Sequence, residues 1–111
     1  MAEYISIDQF KLMDIRVGKV VSAEIVQDAD KLLRLMVDCG EPEPRQIISG
    51  IRERVGDPQV LVGKRLLFIL NLEPRTIRGL ESKGMLCAVG DDTSFAFLTP
   101  DREVPSGTKM R

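Results

Sequence analysis

At 111 residues, with 43% hydrophobic and 30% charged positions, the chain has the length and composition of one folded domain, not of a disordered or fibrous segment. It contains no histidine, which removes Ser-His-Asp triads, Cys-His dyads, histidine zinc sites and a histidine general base. Sixteen Lys and Arg against 17 Asp and Glu give a net charge of −1, so attraction to a polyanion must come from segregated charge and not from total charge.

In chain order, Ser6-Ile7-Asp8-Gln9 reads as a capping box, and Phe10 and Met13 follow at helical spacing, which predicts a short helix over 7–13. The period then changes to two. Ile15, Val17, Val21, Ala23 and Ile25 alternate with Arg16, Gly18, Val20, Ser22 and Glu24, so a first strand is expected there, with Gly18 marking a bulge or sharp coiling. After the polar break Gln27–Asp30, a second strand places Leu33, Leu35, Val37 and Cys39 on one face and Leu32, Arg34, Met36 and Asp38 on the other. Gly40-Glu41-Pro42-Glu43-Pro44 must turn, because Pro donates no ladder hydrogen bond. Arg45–Ser49 is expected as the third strand, residues 51–63 as a connector with a helical turn, and Lys64–Leu72 as the fourth strand. A loop is expected over 73–83, a fifth strand over Gly84–Val89, and a hairpin turn at 90–94 before the apolar run Phe95–Leu98. Phe10, Phe68, Phe95 and Phe97 all stand in apolar patterns and read as core.

Five short strands with a helical connector after the third predict an all-β barrel, since closure removes exposed edges. Pattern alone leaves an OB-fold, an SH3-like barrel and a split barrel open. The longest apolar run, Leu66–Leu70, is far below the ~20 residues of a membrane helix. The start, Met1-Ala2-Glu3-Tyr4, lacks a basic flank followed by an apolar stretch, so a cytoplasmic location and no membrane association are expected. Cys39 and Cys87 form no C-x-x-C pair and are expected to be reduced and partly buried.

No catalytic residue, metal or cofactor is indicated. The stretch Gly56 to Lys64 lacks phosphate-loop spacing and continues with Arg65 where Ser or Thr is needed; Asp28-Ala29-Asp30 is followed by Leu32 and Leu33 where a calcium loop needs a ligand and a glycine. The positive signal is cationic. Between Lys64 and Lys83 there are five cations (Lys64, Arg65, Arg75, Arg78, Lys83) against Glu73 and Glu81, a net +3 that leaves −4 on the rest. In an OB-fold the strand 2–3 face and the 1–2 and 4–5 loops bind oligonucleotides, and that geometry would gather Lys31, Arg34, Arg75, Arg78 and Lys83. With one Tyr, four Phe in apolar patterns and no Trp, base stacking on aromatics is not expected to dominate, which favours a structured RNA read through phosphate positions.

The ordered blocks Asp14-Ile15-Arg16-Val17-Gly18, Asp28-Ala29-Asp30-Lys31-Leu32, Arg45-Gln46-Ile47-Ile48-Ser49-Gly50, Leu61-Val62-Gly63-Lys64, Asn71-Leu72-Glu73-Pro74-Arg75 and Arg78-Gly79-Leu80-Glu81-Ser82-Lys83-Gly84-Met85-Leu86 resemble the tRNA-binding domain appended to many methionyl-tRNA synthetases and found as free-standing proteins. The resemblance spans nearly the whole chain. It implies a five-stranded OB-fold barrel over about 14–90, within a single domain 1–111, with a short N-terminal helix, a helical connector and a C-terminal dimerisation extension over about 91–111. It implies a non-catalytic protein that binds folded tRNA by shape and backbone contacts and assists methionyl-tRNA synthetase. Binding would fall on Lys31, Arg34, Asn71, Arg75, Arg78, Ser82, Lys83 and Met85. The implied partners are tRNA, a second copy of the chain and a methionyl-tRNA synthetase catalytic chain. Members often have Asn where Asp28 stands and Tyr where Leu33 stands. The alternative is a protein-interaction or export-chaperone-like dimeric module, suggested by the apolar segment Phe95–Leu98.

Overall fold

The computed structural model describes residues 3–111. Helix α1 (Ile7–Lys11) opens on the expected capping box: the Gln9 N–H donates to Ser6 Oγ at 3.0 Å and the Ser6 N–H to Gln9 Oε1 at 2.8 Å. It is shorter than the 7–13 expected. Leu12 and Met13 donate to Gln9 and Phe10 carbonyls three residues back, so the last turn tightens and the α ladder ends.

Strand β1 (Ile15–Ile25) is the axis of the fold. Its first half pairs antiparallel with β4 (Arg65–Ile69) and its second half with β2 (Leu33–Asp38), which pairs in turn with β3 (Arg45–Ser49). One strand can serve two neighbours in this way because it coils and carries a bulge between Val20 and Ser22. That bulge corrects the simple alternation expected here. Val20 is fully buried, while Val21 and Ile25 point outward at 49% and 47% exposure.

Gly18 has a different role from the bulge expected of it. A Cβ there would lie 2.5 Å from Val37 Cγ1 and 2.9 Å from Phe68 Cδ2, so the glycine lets two core side chains close over the strand.

The expected faces of β2 are present: Leu33, Leu35, Val37 and Cys39 are fully buried. The connector contains α2 (Arg52–Val55) and a 3₁₀ turn, Pro58–Leu61, whose Asp57 side chain caps Gln59 N–H. β4 ends at Ile69, earlier than the Leu72 expected, although the Leu70 N–H still donates to the Asp14 carbonyl at 2.8 Å, in register with the Ile15–Ile69 pair.

The segment expected as a loop over 73–83 folds into a hairpin, β5 (Arg75–Ile77) with β6 (Leu80–Ser82). Its two-residue turn, Arg78-Gly79, has φ of +52° and +78°, the sign pair that matches strand twist in a tight hairpin. The single strand expected over 84–89 divides into β7 (Met85–Leu86), paired with β4, and β8 (Ala88–Gly90), paired with β9 (Phe95–Phe97).

The main sheet runs β3-β2-β1-β4-β7. Its two ends approach each other: the Lys83 N–H donates to Gln46 O at 2.8 Å, and a Cβ on Gly84 would meet Ile47 Cδ1 at 3.0 Å. The result is a nearly closed five-stranded, OB-like barrel around Phe68, Leu33, Leu35, Ile47, Val20 and Val37. A second small cluster, Ile15, Ile69 and Cys87, lies apart from it. The C-terminal stretch runs beside the first half of β1: Gly107 and Met110 N–H donate to Val17 and Ile15 carbonyls, and Val17 N–H to Thr108 O. Phe10 is only half-buried, and Phe95 and Phe97 pack partly buried on the main core. Both cysteines are buried and unpaired. No helix among the described residues is long and apolar enough to cross a membrane.

Candidate nucleic-acid interface

The loop between β1 and β2 is fixed at its centre and open at its end. Asp28 takes the left-handed conformation, φ +62°, which Asp and Asn tolerate better than most residues. Ala29 is buried, and its carbonyl accepts from Arg52 Nη1 at 3.2 Å. The Lys31 carbonyl accepts from the Arg52 N–H, which leaves the Lys31 side chain exposed. It shares a recess with Arg78, the first residue of the hairpin turn. Two cations from distant stretches of sequence thus face one space.

The hairpin is held on the edge of β3 by three contacts. The buried Ser82 Oγ accepts from the Ile48 N–H at 3.0 Å and donates to Gly84 O at 3.1 Å. Gln46 Nε2 donates to Glu81 O at 2.8 Å. The Lys83 N–H supplies the third, to Gln46 O. Gln46 also accepts from Arg34 Nε at 2.8 Å, so one amide ties the outward face of β2 to the hairpin. Arg34 lies 3.8 Å from Glu24 and Lys83 lies 3.6 Å from Glu81, loose exposed pairs that an incoming phosphate can displace. Among the described residues Lys31, Arg75 and Arg78 have no carboxylate partner. Arg75, Ser82 and Met85 line a second recess beneath the hairpin, with Met85 45% exposed.

Asn71 stands apart from this group. Its Oδ1 accepts from the Asp14 N–H at 2.8 Å and its Nδ2 donates to the Leu12 carbonyl, so the amide joins the end of β4 to the exit from α1. Ser82 likewise spends its hydroxyl inside the fold. Sequence reasoning did not single out Gln46 or Arg45. Arg45 clasps Glu41 through Nε and Nη2 at 2.7 and 3.0 Å, and its Nη1 reaches the carbonyls of Leu70 and Lys83. This clasp draws the barrel ends together. It lowers the Glu41 carboxyl, chiefly through the Arg45 hydrogen bond, and raises the Arg45 guanidinium for the same reason. The Arg45-Gln46 pair was present in the motif blocks, but nothing local distinguishes a strand-edge staple from a solvated charge.

Residues 15–109 match the family model for a tRNA binding domain. The chain belongs to the tRNA-binding domain family. It is 48% identical over 107 residues to a methionine–tRNA ligase of Methanothrix thermoacetophila and 50% identical over 109 residues to that of Methanosphaerula palustris, covering 96% and 98% of this chain. The chain spans only 16% of the length of those ligases. Among solved structures, this tRNA-binding domain superposes on a MetRS-related protein from Pyrococcus horikoshii with a TM-score of 0.90 at 33% identity, covering 99% of this chain and 100% of that one. It superposes on the chaperone CsaA from Bacillus anthracis with a TM-score of 0.85 at 27% identity, covering 98% of this chain and all of the other.

Proposed function

We propose that this domain grips folded tRNA by its sugar–phosphate positions, using Lys31, Arg34, Arg75, Arg78 and Lys83, and raises the local tRNA concentration at a methionyl-tRNA synthetase catalytic chain in the cytoplasm. The observation that carries the reading is the recess shared by Lys31 and Arg78, whose charges have no carboxylate partner among the described residues. Arg suits the task because its planar fork pairs two ways with a phosphate. In this reading Met85 offers an apolar contact, while Asn71 and Ser82 serve binding by holding the frame. Tethering alone can raise apparent affinity without any new contact, which is how a non-catalytic domain assists aminoacylation.

The test is a titration of tRNA at several salt concentrations. Each phosphate contacted should contribute about 0.7–0.9 to the slope of log affinity against log salt. Arg78→Ala should reduce that slope by about one and weaken all tRNAs alike. A flat salt response in the parent protein would reject the proposal.

Support for a homodimer comes from the N-terminal side. Helix α1 buries none of its residues, and Tyr4, Ile5, Ile7 and Leu12 are 65–100% exposed, with Met110 at 40%. The segment after Gly90, expected to supply the interface, contributes Met110 to this patch. Its Phe95 and Phe97 instead stack edge to face at 5.3 Å and pack on the core. That packing also removes the main support for a chaperone-like module acting through Phe95–Leu98.

A further inference from the structure

Beneath the β5–β6 hairpin lies a recess of about 50 Å³ walled by Ile48, Leu72, Ile77 and Met85. A buried water needs roughly 10–15 Å³ of such space, so the recess admits the edge of a nucleobase and not a whole nucleotide. Its polar lining is Ser82, whose hydroxyl is already spent, together with Glu73 and Arg75. Among the described residues Glu73 has no ion-pair or hydrogen-bond partner, whereas Glu81, the other acid of the cationic stretch, lies near Lys83.

A free carboxylate on a phosphate-gripping face is a liability, because it repels the backbone it sits beside. It becomes useful only toward a donor. Of the four bases, guanine alone presents two adjacent N–H donors, N1–H and N2–H, on its Watson–Crick edge, and a carboxylate accepts both in parallel. Unpaired bases in folded RNA expose that edge. We propose that the recess takes the Watson–Crick edge of one unpaired guanine of the bound tRNA, the base resting against Met85 and Ile77, its N1–H and N2–H donated to Glu73, and its phosphate near Arg75. The proposal rests on the tRNA-binding reading and adds a base-reading residue to it.

The deciding variant is Glu73→Gln, which keeps the size of an exposed side chain that ties nothing together in the fold. Base reading predicts that tRNA affinity falls about five- to a hundredfold, the worth of one bidentate base contact, with the salt slope unchanged. Kethoxal, which modifies N1 and N2 of unpaired guanines, should spare one guanine of tRNA in the parent complex and attack it in the Glu73→Gln complex. If Glu73→Gln binds tRNA as tightly as the parent or more tightly, or if no guanine is protected, base reading is overturned while tRNA binding stands. If the parent protein binds no tRNA at all, both readings fall.

Discussion

Arg78 shows how one backbone angle shapes the candidate interface. Holding a non-glycine residue at φ +52° costs about 1–2 kcal/mol, and the turn places that guanidinium beside Lys31. Arg78→Gly relieves the strain but frees the unfolded chain by about 0.5–1 kcal/mol. Its thermal midpoint is therefore expected at or slightly above the parent's, while tRNA affinity drops as in Arg78→Ala. A midpoint well below the parent's would show that the arginine stabilises the turn. Gly18 is the opposite case, a glycine demanded by close approach. Gly18→Ala should destabilise by about 1–3 kcal/mol in denaturant titration, since neither Val37 nor Phe68 is free to retreat. At Glu41 the carboxyl is lower in the folded protein than its usual value near 4.3. Its contribution is therefore present above that value and is lost as pH falls through the lowered one. Acid unfolding of Glu41→Gln should start at higher pH than the parent's, and the two should converge once the carboxylate is protonated. The Cys39 thiol is pushed up to about 11 by burial, with Glu41 adding to it, so alkylation at neutral pH should follow global unfolding and not local exposure.

At the scale of elements, the hairpin β5–β6 of the candidate interface depends on β3 for its position, because three contacts fix it there and a two-stranded ribbon this short cannot stand alone. Ser82→Ala leaves the buried Ile48 N–H without a partner and should cost about 1–3 kcal/mol. It should weaken tRNA binding through hairpin displacement, without lowering the salt slope by the full unit expected for Lys83→Ala. The sequence signals for this region were honest but incomplete. Gly79 marked a break, and a break between polar residues reads as a loop. The hairpin exists because Ser82 and Gln46 offer it a docking edge, and Gln46 belongs to a strand far away in sequence. In contrast, β2 and β3 were legible to the residue or nearly so, since strict alternation and flanking prolines are local facts.

For the whole molecule, association is tested on the patch formed by α1 and Met110. Leu12→Glu places a charge on a surface whose large apolar side chains lie open. Sedimentation should show the parent at twice the monomer mass at micromolar concentration and the variant at monomer mass with an unchanged fold. A parent that sediments as a monomer would reject the dimer.

The amino-acid order alone determined β2 and β3, the capping box and the segregation of charge into 64–83, because each depends on neighbours within a few residues. It also supplied the family resemblance, carried by ordered blocks along the chain. Only the tertiary structure decided which polar side chains remain free. Asn71, Ser82 and Arg45 each hold a hydrogen-bond partner tens of residues away, whereas among the described residues Lys31, Arg75, Arg78 and Glu73 have no ion-pair partner. A hydrogen-bonding group is available to a ligand only when folding leaves it unpaired, and that pairing is a property of the closed barrel, not of any local stretch.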